Sequence, residues 1–297
     1  TNNEGIDMNI QFELAKQTPN GESTNGILRV NASNVSGYAE DGIALQLLGA
    51  DEVELKNTSK WDNNSYYNIW IVSEIEGNNG GFGTQGFAYF PGASATYDGT
   101  VIMNTCWGNI GTVNDWNNQG TTLVHELGHS LDLYHTFHVQ GDGSDTTAAG
   151  CVNNVSCSTQ GDFCCDTDPH KASSSNSCKI NEINECTGSI YGNVVRNFMD
   201  YSKQECQEMF TADQKDRMRA TLEGSRSLLL TSKALKEPIV PCETIKQSAI
   251  CTPITGADGL SAHYAGIGEY RFFDAFNISS FADTDGGYLN ETNNCAA

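Results

Sequence analysis

The sequence predicts an α+β fold that has one large domain and a small C-terminal appendage. From residue 6 to about residue 105, short β-rich runs alternate with turns and helical segments, which favours a mixed layer over an all-β sandwich. With 297 residues, the chain is longer than one core usually supports. Hydrophobic residues make up 38% of the chain and charged residues only 18%, so a globular protein is expected.

Short β-rich runs bounded by Gly, Asn or Pro are the predicted strands of this layer. They are Ile27–Asn31, Glu52–Leu55, Tyr67–Val72, Gly86–Phe90 and Thr100–Met103. Among them, Ala39–Leu48 is predicted to form a helix, and the glycine-rich run 78–83 is predicted to be a flexible loop.

Two further helices are predicted after the strands. The first covers residues 120–131, where Thr121 or Thr122 can act as the N-cap and the apolar residues share a broad face. The second begins at Thr211, whose spacing to Gln214 is that of a capping box, and it runs toward Leu230.

After the predicted helix over residues 120–131, the sequence shows little periodicity of hydrophobic residues. Residues 136–198 are rich in Cys, Gly, Ser and Asp, so irregular structure held by cross-links is predicted there. The proline-containing run 236–241 is the predicted linker. Residues 242–297 contain aromatic β-like runs such as Tyr270–Phe273 and are predicted to form a small β-like module or a fragment of one.

Charge and cysteine content exclude some partners and indicate a compartment. The 37 acidic residues outnumber the 16 basic ones, and a net charge of -21 repels phosphate backbones and anionic lipid. We therefore expect neither nucleic acid nor a membrane surface as the main partner, and no apolar run is long enough for a membrane span. Eleven cysteines indicate disulfides in an oxidising compartment. The sequence is therefore read as a mature, trimmed, secreted protein, and a monomer is expected.

The predicted helix over residues 120–131 carries a metal-site motif. His125, Glu126 and His129 form the HExxH pattern, and residues four apart lie one turn above each other on a helix, so both imidazoles can reach one metal. Glu126 lies beside them, where it can take a proton from water acidified by zinc and deliver it to the leaving amine.

A third histidine extends the motif. His135 can become a ligand only if the chain turns sharply after Leu131, and patterns of this kind place Gly at the turn because a positive φ costs Gly little. Asp132 occupies that place here. Asp tolerates the left-handed region better than most residues, so the turn is expected to form with some strain and His135 is kept as the third zinc ligand.

These residues resemble a known group of proteins. The stretch HELGHSLDLYH resembles the zinc-binding motif of the metzincins, and Asn197-Phe-Met-Asp-Tyr-Ser resembles their Met-turn. The details are most similar to the pappalysin-type metalloproteases, the group of pappalysin, ulilysin and cytophagalysin. Supporting stretches begin at Tyr66, Gly86, Tyr97, Leu133, Gly161 and Phe210, in the right order over roughly residues 6–230.

The resemblance implies a metzincin-type catalytic domain over residues 1–235. Its upper subdomain, 1–135, would carry a twisted mixed sheet and the active-site helix, and its lower subdomain, 136–235, would be irregular and rich in disulfides. Met199 would form an apolar floor beneath the imidazoles, although an ordinary core methionine would look much the same. Tyr201 would bind zinc or stabilise the oxyanion, with a purely structural tyrosine as the alternative.

The same resemblance implies two disulfides in the lower subdomain, Cys151–Cys186 and Cys178–Cys206. One further bridge is plausible among Cys157, Cys164 and Cys165, which would leave one thiol over. An odd total of eleven means that at least one cysteine is free or bonded outside the chain.

Relatives of this kind also suggest a calcium site and a substrate pocket. Asp162, Asp166 and Thr167 match a calcium-binding stretch, with solvated loop carboxylates as the alternative. Members that cleave beside basic residues have an acidic group at the base of the S1′ pocket, where this chain has Gln204. That departure argues against a preference for Arg or Lys, although Glu205 or the wider negative charge could still favour cations.

The sequence therefore predicts a secreted zinc endopeptidase. Its protein or peptide substrate is expected to extend along the rim strand near residues 86–90. A zinc hydrolase of small amides or esters is one alternative. The other is a disulfide-stapled binding or adhesion module with a degenerate zinc site, for which Asp132 is the sole support in the sequence.

Overall fold

A computed structural model describes residues 5–111, 113–139, 150–152, 154–173, 177–238, 270–272 and 276–278. The chain divides into two compact units, Thr1–Pro238 and Ile239–Ala297. The subdomain boundary at residue 135 and the assigned roles of the segments remain predictions. Part of the predicted linker and almost all of the predicted module 242–297 lie outside the described residues.

The main sheet has three strands, β1 (Ile69–Val72), β2 (Gly86–Ala88) and β3 (Thr100–Met103), in the order β1-β3-β2. β1 runs parallel to β3, whereas β2 is antiparallel to it. Every residue of the central strand β3 is buried, and β2 lies at an edge of this sheet. The predicted strands in these three places and the mixed sheet are confirmed.

The helices in chain order are α1 (Tyr38–Asp41), α2 (Glu52–Asn57), α3 (Thr121–Ser130), α4 (Ala212–Glu223) and α5 (Ser227–Leu230). Two short antiparallel strands, β4 (Tyr270–Phe272) and β5 (Phe276–Ile278), lie in the C-terminal unit. None of the helices in the described part of the chain is long and apolar enough to cross a membrane.

The predicted strand at Glu52–Leu55 is wrong, because these residues form α2. The Asp51 side chain accepts a hydrogen bond from the amide of Glu54 (2.8 Å), which caps a helix rather than extending a strand. The Glu52 carboxylate pairs with Lys56 one turn later (Oε1–Nζ 2.6 Å), and both side chains are almost fully buried. The buried residues of α2 are Glu52, Leu55 and Lys56, whose three- and four-residue spacing is that of one face of a helix rather than of a strand.

Three other predicted elements differ from those in the structure. Residues 27–31 are not in a strand of the described structure. The helix predicted over 39–48 stops at Asp41, because Gly42 adopts φ 70° and Ile43 then bridges to Ala50 and Ile75. The last helix is interrupted at Gly224, so α4 and α5 are separate.

Two hydrophobic clusters lie on either side of α3. The first packs the sheet around Ile43, Val101 and Ile102, and Leu123 of α3 contacts it. The second surrounds Met199, and the next helix residue, Val124, contacts that one. Helix α3 therefore packs between two hydrophobic clusters, and burial of apolar area on both sides holds it in place.

Disulfide bonds and a capped helix stabilise the part of the chain that follows α3. The structure contains the two expected bridges, Cys151–Cys186 and Cys178–Cys206, and a third bridge, Cys157–Cys165. Cys106 and Cys164 are buried free thiols. The predicted capping box of α4 is confirmed, because Thr211 and Gln214 exchange side-chain to backbone hydrogen bonds.

Candidate active site

The structure brings the three predicted metal ligands together. The Nε2 atoms of His125, His129 and His135 lie 3.0–3.1 Å from one another. His125 and His129 are one turn apart on α3, and His135 reaches them from the segment that follows the helix. Within the part of the chain that the structure describes, only this trio forms a group of three or more histidine, cysteine or acidic side chains with ligand atoms within 4.8 Å of one another.

Backbone carbonyl groups orient two of the imidazoles. Nδ1 of His125 is 2.6 Å from the carbonyl oxygen of Phe198, and Nδ1 of His129 is 2.8 Å from that of Leu133. A carbonyl oxygen only accepts, so each Nδ1 carries the proton and each Nε2 of the neutral ring presents a lone pair. The lone pairs therefore point into the space that the three rings share.

The donor set fits a zinc ion. A tetrahedral zinc with Zn–N bonds of about 2.0–2.1 Å keeps its nitrogen ligands roughly 3.3 Å apart, close to the separations found here. Nitrogen lone pairs that converge at such distances repel each other unless a cation lies between them. Three histidines leave a fourth position for water or substrate, which is the arrangement of catalytic rather than structural zinc sites.

The turn after α3 forms as expected with Asp132 in the left-handed region. Asp132 has φ 74°, its amide donates to the carbonyl of His129 (3.0 Å), and the amide of Leu133 donates to that of Gly128 (3.0 Å). This pair of bonds is the Schellman motif that ends many helices, usually with Gly in this place. The sole sequence argument for a degenerate site is therefore removed, because His135 joins the cluster.

Glu126 lies beside the histidines and is only 6% exposed. Burial raises the pKa of its carboxyl group to about 8. The neighbouring rim strand leaves room for it, because a Cβ added to Gly86 would lie 3.1 Å from Cγ of Glu126. The two residues thus share one narrow space between α3 and β2.

Met199 lies directly beneath the active-site helix. It is fully buried, and a Cβ added to Gly128 would overlap its sulfur atom. Its carbonyl oxygen accepts a hydrogen bond from the amide of Thr136 (3.2 Å), the residue that follows the third histidine. The segment around Met199 therefore supports both ends of the histidine trio, since Phe198 contacts His125.

Tyr201 borders the site from the same segment. Its ring centroid is 4.7 Å from that of His135 and 5.7 Å from that of His125, and the residue is 42% exposed. The phenol thus lies at the surface of the cleft, next to the two rings, rather than in the core.

A cleft of about 1180 Å³ runs past the histidines. β2 lines one wall with all three of its residues. Aromatic rings next to His129 contact one another in tilted or edge-to-face geometry, with Phe90 to Tyr134 at 4.7 Å and Tyr134 to Phe163 at 5.2 Å between ring centroids. The volume of the cleft exceeds what a small amide or ester needs, and β2 lies along it with backbone groups at the edge of the sheet.

Gln204 lines the cleft beside the start of α3, and Glu205 does not line it. The Gln204 side chain donates to Oγ1 of Thr122 (2.9 Å), which donates in turn to Asn117 (3.0 Å). Glu205 is exposed and pairs with Lys203. This part of the cleft therefore presents an uncharged polar network.

The predicted calcium residues are only partly together. Thr167 donates to the carboxylate of Asp162 (Oγ1–Oδ1 2.9 Å), which is buried, and burial raises the pKa of Asp162 to about 7. Asp166 instead accepts a hydrogen bond from the amide of Asp213 at the start of α4 (3.0 Å). The loop is thus tied to α4 by one of its carboxylates.

Sequence reasoning missed several residues that build the site. The carbonyl groups of Leu133 and Phe198 carry no side-chain signal, so only the backbone geometry identifies them. Arg217 of α4 contacts the turn at Asp132 from 85 residues away. Phe90 and Tyr134 lie inside stretches that support the resemblance, but their contact depends on the fold.

The site defines a class of protein before any comparison. Two histidines and a glutamate on one helix, a third histidine after a sharp turn and an open cleft are the parts of a zinc-dependent hydrolase.

Comparison with known proteins defines the class more closely. Residues 51–223 match the Peptidase_M43 family, described as pregnancy-associated plasma protein-A. An extracellular metalloprotease of Pyricularia oryzae is 33% identical over 197 residues, covering 61% of each chain. One from Sordaria macrospora is 29% identical over 236 residues, covering 72% of this chain and 73% of that relative. The chain thus spans 61% of the length of the first relative.

Solved structures of the same group resemble the fold. Mirolysin in complex with a compound is 28% identical, with a TM-score of 0.57 and coverage of 80% of this chain and 81% of that one. A promirolysin mutant of Tannerella forsythia is 25% identical, with a TM-score of 0.55 and coverage of 80% and 70%. The chain belongs to the Peptidase_M43 family, the pappalysin-type metzincin zinc metalloendopeptidases.

Proposed function

We propose that this protein is a secreted zinc endopeptidase that hydrolyses peptide bonds of protein substrates. The observation that carries the proposal is the meeting of three Nε2 atoms, from His125, His129 and His135, within 3.0–3.1 Å of one another beside Glu126. His125, His129 and His135 would hold the zinc ion. When bound, zinc acidifies a coordinated water and polarises the carbonyl of the scissile bond.

Glu126 would act as the general base and then as the general acid. Its carboxylate takes a proton from the attacking water and delivers it to the nitrogen of the leaving amine, so one group serves both halves of the reaction. Burial alone favours the protonated form of Glu126, and a positive charge held by the three histidines would favour its carboxylate form.

Tyr201 would stabilise the transition state from the cleft surface. A phenol that lies next to the rings of His125 and His135 is placed to donate its proton in a hydrogen bond to the developing oxyanion. Because this interaction forms as charge develops on the substrate oxygen, its loss is expected to lower kcat more than it raises KM.

The substrate would bind as an extended strand against β2. In the sheet this strand pairs with β3 on one side, and an edge strand offers backbone groups on its other side for a peptide to pair with. Gln204 would face the side chain that follows the scissile bond. An uncharged network of Gln204, Thr122 and Asn117 suits a neutral polar side chain better than a basic one.

Calcium binding and secretion complete the proposal. Asp162 and Thr167 supply oxygen atoms at a buried position, and a divalent cation there would offset the cost of a buried carboxylate. The relatives are named extracellular metalloproteases, and disulfides such as those between residues 151 and 206 persist in oxidising compartments.

The central test is digestion of casein by the purified protein. We expect one zinc per chain, activity that a chelator removes and zinc restores, and a loss of about 10²- to 10⁴-fold in kcat for Glu126→Gln with zinc still bound. Glu54→Gln, which changes an exposed glutamate of α2, is the matched control and should behave like the wild type. Full turnover by the Glu126 variant would contradict the mechanism, and zinc-free protein that cleaves casein would contradict the metal site.

A further inference from the structure

The turn that delivers the third histidine has an unusual residue in its strained position. Asp132 adopts φ 74°, a region where most residues other than Gly are disfavoured. The neighbouring carbonyl of Leu133 orients His129, and His135 follows two residues later. Any relaxation of this turn would therefore move two of the three imidazoles at once.

Arg217 of α4 binds both the side chain and the backbone of Asp132. Its Nη2 atom lies 2.7 Å from Oδ2 of Asp132, and its Nε donates to the carbonyl oxygen of Asp132 (2.6 Å). One planar guanidinium group thus fixes the carboxylate and the peptide plane together, which a point charge such as Lys could not do equally well. The exposed fractions of the two side chains are 26% and 33%, so water screens the pair only in part.

Aromatic rings hold the guanidinium group in turn. Its central carbon is 5.4 Å from the ring centre of Tyr134 and 5.2 Å from that of Phe163. Cation–π contacts of this kind restrict the rotamer of Arg217 as well as attracting its charge. The two rings therefore restrict Arg217 to the conformation in which it contacts the turn.

From these contacts we propose that Arg217 is a positioning residue of the zinc site, which holds the Asp132 turn so that His135 and the carbonyl partner of His129 are preset for the metal. The inference rests on the proposed zinc site. It explains how this chain uses Asp where the turn favours Gly, since the side chain that adds backbone strain also supplies the carboxylate that α4 binds.

The test measures zinc affinity by competition with a chelator and the geometry of the site by the visible spectrum of the cobalt-substituted protein. For Arg217→Met we expect zinc affinity to fall about 10- to 100-fold, as when other outer-shell partners of metal ligands are removed, with a changed cobalt spectrum. Arg219→Met is the matched control, because Arg219 lies on the same helix, pairs with Glu223 and contacts the Asn9 carbonyl. Its affinity should equal that of the wild type.

Two further variants separate positioning from general stability. Arg217→Lys keeps the charge, and it should still lose several-fold in zinc affinity while the metal-free protein unfolds near the wild-type Tm. In an Asp132→Gly background, which removes both the strain and the carboxylate, Arg217→Met should cost clearly less affinity than it does alone.

The outcomes distinguish the inference from the proposed function. Wild-type protein that binds no zinc contradicts the proposed function itself. Wild-type protein that binds zinc, with Arg217→Met and Arg217→Lys binding it equally well and giving the same cobalt spectrum, overturns the positioning role alone. If Arg217→Met does not fold, Arg217→Lys decides between the two results.

Discussion

The chemistry of single residues here depends on burial and on backbone partners. His125 and His129 are oriented by carbonyl groups from two different segments, so their lone pairs converge. Glu126 and Asp162 are both buried carboxyl groups, and burial raises the pKa of each, to about 8 and about 7. Both groups are therefore expected to respond to a bound cation.

Asp162 provides a prediction about stability and pH. Because its pKa is raised to about 7 in the folded protein and lies near 3.9 in an unfolded chain, the folded state holds the proton more tightly between these values. Without calcium, the contribution of Asp162 to the free energy of unfolding should therefore fall as pH rises from about 4 to about 7, by up to roughly 1.4 kcal/mol per pH unit.

Denaturant unfolding of the wild type and of Asp162→Asn across this range, in buffer with a calcium chelator, measures the effect. The difference between the two proteins should shrink or change sign as pH rises, and added calcium should stabilise the wild type at neutral pH more than the variant. Identical pH profiles with and without the carboxylate would contradict the prediction.

At the scale of elements, α3 lies between two cores and ends in a turn that α4 holds. Leu123 and Val124 anchor its two sides, and Gly128 lets it approach Met199 closely. β2 borders the helix with Gly86, which has no side chain. The spacing between α3 and β2 is therefore set by Gly86, and that between α3 and Met199 by Gly128, so added volume at either position should affect the site.

The substitution Gly86→Ala tests this spacing. The new Cβ would lie 3.1 Å from both Cγ of Glu126 and the carbonyl oxygen of Val101, so the Glu126 side chain must shift. We expect kcat to fall several-fold, up to about tenfold, with zinc content unchanged, because the Glu126 side chain needs to move by only a few tenths of an ångström and a misplacement of about 1 Å costs about a hundredfold.

Gly81→Ala is the matched control, since its nearest neighbour would be Oδ1 of Asn78 at 3.6 Å, an ordinary contact. Casein turnover and zinc content measured on both variants decide the result. Wild-type kcat for Gly86→Ala would show that Glu126 does not depend on the spacing.

At the scale of the whole molecule, the dominant feature is the charge. A net charge of -21 gives the chain a negative field that attracts cationic peptides over distances near the Debye length, about 10 Å at 0.1 M salt. The proposed S1′ residue Gln204 is uncharged, so this field should act on association rather than on the choice of the residue beside the cleaved bond.

Salt dependence separates these two effects. For a peptide flanked by Lys and Arg residues, kcat/KM should decrease several-fold between 50 and 500 mM salt, because screening removes the attraction. The same peptide with Ser and Gln in the flanks is the control and should change little. Equal salt dependence for the two peptides would mean that the net charge does not guide substrate binding.

The sequence by itself determined the features that follow from local spacing. The i, i+4 histidines and the Thr211 capping box define helices because 3.6 residues complete a turn, and the strands at β1, β2 and β3 were marked by β-rich runs between turn residues. The zinc motif and the family resemblance also lie in contiguous stretches. By contrast, Glu52–Leu55 was mistaken for a strand, because a short amphipathic run fits either period until its cap is known.

Only the tertiary structure decided which distant groups meet. Phe198 contacts His125 across 73 residues, and Arg217 contacts Asp132 across 85, and neither pairing leaves a pattern in the sequence. The disulfide partners followed from resemblance, since cysteine spacing alone permits many pairings. Local geometry depends on neighbouring residues. The orientation of the histidine rings depends instead on long-range packing, which brings backbone groups of separate segments to the same point.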